Sequence, residues 1–165
     1  MTPTPMTCDA AKHAIEARRF VGWRGLPAGC APETLFGIKL DDTWGAMSLG
    51  SSFEKARSRL IELAGYGRAL AYVRDGTVAM FDAMAPQIDG GWPALSADLG
   101  PPEATFDWIF GTVAMPAGEL VYAKRGLTVF LNPENRVVVY ISVYVATTVD
   151  EFARRLRPPR EKQPR

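Results

Sequence analysis

The chain of 165 residues has one histidine, two cysteines and a net charge of only +1, and each shortage closes off some chemistry. With His13 alone, in a segment that reads as a surface helix, neither a Ser-His-Asp nor a Cys-His relay is indicated, because both need an imidazole beside the nucleophile. Neither Cys8 nor Cys30 has a Cys or His close by in sequence, so zinc-ligand spacing is missing. Asp41-Asp42 is a carboxylate pair, but in GIKLDDTWG it reads as a turn rather than a metal ligand. No metal and no cofactor is expected. Two cysteines do not make a disulfide framework. The expectation is reduced thiols in a cytoplasmic protein, with a single bridge as the alternative, and Cys30 reads as a small packed residue.

Near-neutral charge supplies no field to recruit nucleic acid or an anionic membrane. Six Lys and Arg residues fall between Arg154 and Arg165. They lack interleaved aromatics, so specific nucleic-acid recognition is not expected and the segment reads as a solubilising basic tail. No apolar run reaches the roughly 18 residues a membrane helix needs. The longest, VVVYISVYVA over 137–146, is β-branched and reads as a buried strand. The N-terminal stretch, interrupted by Lys12, Glu16, Arg18 and Arg19, does not read as a signal peptide. Neither a Walker loop nor a dinucleotide fingerprint occurs.

What remains is a composition of 47% hydrophobic and 22% charged residues, which fits one globular domain or two small halves sharing a core. Thr7 can cap a helix from about Asp9 to Phe20. Ser51 and Glu54 form a capping box, and Phe53, Ala56, Leu60, Leu63 and Ala64 recur at helical spacing, so a second helix is predicted to run to Gly65. Asp75-Gly76 predicts a hairpin between strands Arg68–Arg74 and Thr77–Asp82. A short helix is predicted over Trp92–Leu99, closed by Gly100-Pro101-Pro102. Strands follow at Phe106–Val113, Glu119–Ala123, Leu127–Leu131 and Arg136–Val145, with Asn132–Asn135 as a turn. Thr148 and Glu151 cap a last helix near Val149–Leu156. The fold class is α+β: an antiparallel sheet with helices packed on one side.

The phrase GWRGLPAGCAPETLF (22–36) returns as GWPALSADLGPPEATF (91–106), with seven identities, Trp23/Trp92 and Phe36/Phe106 among them. Two related half-domains in tandem are therefore expected, 22–85 and 86–157, flanked by an N-terminal tail and surface helix (1–21) and a disordered tail (158–165). Each Trp is expected to pack on its Phe. In the second half, Leu99-Gly100-Pro101, Tyr122, Gly126 and the strand Val137–Tyr144 form a helix-then-sheet series. This resembles the helix-plus-antiparallel-sheet modules of the β-lactamase inhibitory proteins and the outer-membrane assembly lipoprotein small subunits. The resemblance covers 92–145 and more faintly 23–82, and it implies protein binding through the sheet face.

Along the last strand, Val137, Val139, Ile141, Val143 and Val145 should share one face, and Val138, Tyr140, Ser142 and Tyr144 the other. Val139 and Ile141 are expected in the core. Tyr140, Ser142 and Tyr144, with Tyr122, are candidates to line an apolar pocket, unless a helix covers that face. Asp107 and Trp108 are placed on a strand where a half-buried carboxylate could serve as acid or base, with a solvated or edge position the favoured reading. The leading expectation is a non-enzymatic binding protein (inhibitor, immunity or accessory factor) whose partner is another protein. The alternative is a small cofactor-free isomerase or cyclase, or a carrier of a small apolar ligand.

Overall fold

Asp75 and Gly76 both take positive φ, 52° and 78°. They fold β3 (Gly67–Arg74) back on β4 (Thr77–Met84), through the two-residue turn that Asp-Gly encodes. In the computed structural model, which describes residues 6–17, 24–49, 54–63 and 66–157, this hairpin lies in an eight-stranded antiparallel sheet. On one side of it stand β2 (Glu54–Leu63) and the edge strand β1 (Gly45–Leu49). On the other stand β8 (Val138–Tyr144), β7 (Leu127–Leu131), β6 (Val113–Tyr122) and the edge strand β5 (Ala104–Phe110). The strands thus form two four-stranded meanders joined through their last members, β4 and β8, with Asp82 opposite Ser142. The α+β class expected from the sequence is present.

One sheet face carries Phe81, Ala83, Val129, Ile141 and Val143, all fully buried. Three helices share its core: α1 (Cys8–Glu16) through Ala11 and Ile15, α2 (Pro32–Phe36) through Leu35, and α3 (Gly91–Leu99) through Trp92, Leu95 and Leu99. Thr7 caps α1 by accepting the Ala10 N–H at 3.1 Å. α1 lies on the surface as expected, with its thin stripe of Ala11 and Ile15 buried. A disulfide between Cys8 and Cys30 ties α1 to the segment before α2, so the expected reduced thiols are not found. Part of the second face is covered by the C-terminal helix, α4 (Val149–Glu151), which continues as a wider turn over Phe152–Leu156.

Four expectations need correction. Residues 54–63 are a strand, not a helix: pairing with β1 and β3 sends Ala56 and Ile61 to opposite faces and leaves Leu60 45% exposed. Here long-range pairing overrides a local helical spacing. Ser51, Phe53, Ala64 and Gly65 lie outside the described residues, as do Trp23 and 158–165. The predicted strand Phe106–Val113 is two strands, because Gly111 at φ 64° turns the chain between Phe110 and Val113. Val139 is the extra residue of a bulge opposite Phe130 and Leu131. The bulge resets the alternation, so Val138 joins the core with Ile141 while Val139 packs, half-buried, on the second face. Finally, Phe36 ends a helix and meets Phe81 edge-on at 5.6 Å, whereas Phe106 lies on β5 under Arg157. Trp92 and Phe106 belong to different clusters. The phrase match is therefore not a structural equivalence at its phenylalanines.

Candidate functional site: the open aromatic end of the sheet

The second face follows from the register. Asp82, Ser142 and Thr128 stand side by side on β4, β8 and β7, all at most 3% exposed. Buried polar groups need partners, and these find them. The Ser142 hydroxyl donates to Asp82 Oδ1 at 2.5 Å, and the Tyr72 hydroxyl reaches Oδ2 at 3.4 Å. The Tyr144 hydroxyl lies 2.8 Å from Thr128 Oγ1 and donates to Leu127 O at 3.1 Å. Phe152 stacks on the Tyr144 ring at 4.9 Å. Burial pushes the Tyr144 phenol well above its ordinary range, against the opposing Thr128 hydrogen bond. Tyr144 is thus covered by the C-terminal helix, which is the favoured alternative to a pocket on that face.

Beyond this row, the same face turns aromatic. Trp108 meets Phe130 edge-on at 5.3 Å, Tyr140 meets Trp108 at 5.8 Å, and Phe110 meets Tyr140 at 5.9 Å. The Trp108 indole donates to Leu131 O at 3.3 Å. Gly118 makes room for this ring, since a Cβ there would sit against Leu131 O and the indole nitrogen. Phe130 and Trp108 are buried, but Phe110 is 45% exposed, and its hairpin neighbour Val113 is 55% exposed. The cluster therefore has a packed base and an open tip.

The remaining candidates lie elsewhere. Asp107 is exposed on the edge strand β5, in keeping with the favoured solvated position, and its Oδ1 accepts the Ala117 N–H at 2.7 Å. A carboxylate held by the backbone at the surface does not fit the acid or base role considered for it. Tyr122 is on the opposite face, donating to Gly100 O at 3.0 Å, and burial pushes its phenol upward. Of six sequence candidates, only Trp108 and Tyr140 meet in the aromatic cluster. Ser142 and Tyr144 belong to the polar row.

Sequence reasoning missed Asp82, Phe110, Glu119 and Arg157. Arg157 was read as part of a solubilising tail. Its Nε donates to Glu119 Oε2 at 2.5 Å, its Nη2 donates to Asp107 O at 3.2 Å, and its guanidinium lies 4.6 Å over the Phe106 ring. Glu119 is fully buried. A lone carboxylate in the apolar run GELVY was the available signal for such a partner. Among the described residues no group of three or more His, Cys, Asp or Glu stands together as metal ligands, and no helix is long and apolar enough to cross a membrane. No protein-family model matches the chain, and neither a curated protein nor a solved structure matches it.

Proposed function

We propose that this chain is a non-enzymatic binding protein that docks another protein on the open aromatic end of its sheet. The carrying observation is the Trp108–Phe110–Phe130–Tyr140 cluster, rigid at its base and exposed at Phe110. Rigid aromatic anchors of this kind dominate protein interfaces, because they bury large area at low entropic cost. Two successive units of helix plus four-stranded meander supply the scaffold, in keeping with the tandem modules the sequence resembles. The buried Asp82–Ser142 pair lacks a histidine and an opening, which favours binding over catalysis. The Cys8–Cys30 disulfide favours an oxidising compartment over the cytoplasm.

The test is site-specific photo-crosslinking from cells that make the full chain. A benzophenone amino acid at position 110 or 113 should give one discrete protein adduct. The same probe at Leu40, exposed on a different segment, should not. No adduct from positions 110 and 113, or the same adduct from all three positions, would refute the proposal.

A further inference from the structure

On the opposite side of the second half lies a cleft of about 510 Å³, within the size range of small-molecule sites. Its walls are apolar: Leu120, Leu131 and Tyr122 form the base, with prolines on the rim. Trp92 lines it and is 7% exposed, yet its buried indole N–H has no acceptor among the described residues. Burying such a donor unpaired is costly. Arg136 stands on the rim, exposed and with no ion-pair partner among the described residues. Among the described residues no carboxylate lines the cleft. Two of its residues, Ala117 and Arg136, hold left-handed backbone at φ 51° and 58°, a conformation that costs energy outside glycine and often marks a ligand clamp.

We infer that this cleft is a binding site for a small organic acid with an apolar body. The apolar part rests on Leu120, Leu131 and the Trp92 ring. Arg136 faces the carboxylate, and the Trp92 indole, which lines the cleft, reports the guest's arrival. The donors are all neutral or cationic, so an organic cation is disfavoured. The site is distinct from the aromatic end, and the inference stands whether or not that end docks a protein.

The experiment is a titration of the ¹⁵N-labelled full chain with naphthalene-2-carboxylate, followed through the four tryptophan indole N–H resonances. The uncharged naphthalene-2-methanol is the comparison. The expected result is one saturable indole shift, abolished in Ser96→Phe, which plugs the cleft from α3. The carboxylate should bind roughly three- to fivefold tighter than the alcohol, the worth of an exposed ion pair, and Arg136→Gln should remove that preference. Arg136→Gln is a rim change that should leave the fold intact, which the spectrum itself reports. No indole shift at roughly millimolar probe, a shift that survives Ser96→Phe, or a preference that survives Arg136→Gln would overturn the inference.

Discussion

The two faces of one sheet, built from the same strands, do opposite things. On β4 and β8, one face presents Phe81, Ala83, Ile141 and Val143, buried as a single apolar layer under three helices. The alternate residues present Asp82, Ser142 and Tyr144. That second face is divided: a polar row crosses it, a short C-terminal helix covers one part, and an aromatic cluster opens at the other. The period of two along a strand makes such a division of labour possible, since each residue commits to one face. An apolar face driven by burial area holds the fold together. A face whose polar groups are individually paired adds geometric demand and leaves part of its surface for contact.

The largest effect should come from the first face. Ile141→Ala is expected to cost about 4 kcal/mol, from lost burial plus the cavity left behind. Val139→Ala, at the bulge on the other face, should cost only about 1 kcal/mol. Urea melts of the two variants would break the comparison if they came out equal. Next is Arg157→Ala, which leaves the buried Glu119 carboxylate without this guanidinium and should cost about 3 kcal/mol. Arg157→Met would separate lost packing on Phe106 from lost charge. Reducing the Cys8–Cys30 bridge should lower stability by about 2–3 kcal/mol through the freed unfolded chain, as a melt with and without reductant would show.

Smaller effects belong to the polar row. Tyr144→Phe keeps the stack on Phe152 and removes one hydroxyl, for about 1 kcal/mol. The pH dependence has a definite sign. Because burial raises the phenols of Tyr144 and Tyr122 in the folded state, their stabilisation is complete below the ordinary value of 10 and is lost as pH rises above it. Denaturation midpoints should therefore fall between about pH 9 and about pH 11, and fall less in Tyr144→Phe. Asp41 acts at the other end. Hydrogen bonds from the Thr43 hydroxyl and N–H hold its carboxyl below the ordinary range, so its small contribution is present above that range and lost in acid.

What was legible in the sequence was what is local. Asp75-Gly76, the Thr7 and Thr148 caps and the helix before Gly100 could be read because turn and cap chemistry lies within four residues. What was not legible depends on distant partners. Residues 54–63 have helical spacing but are held by two neighbouring strands. The bulge at Val139 is invisible until β7 is placed beside β8. For the site, Trp108 and Tyr140 were singled out, but Phe110 was hidden inside a strand that turns at Gly111. Arg157 could not be separated from its charged neighbours without knowing that Glu119 lies buried beneath it.

The claim that one face holds the fold while the aromatic tip of the other is available for contact meets its most direct test in Phe110→Ala. Its unfolding free energy, from urea titration, should lie within about 1 kcal/mol of the parent chain with an unchanged slope, as for a surface side chain. A loss above about 2 kcal/mol would make Phe110 a core residue and contradict the account.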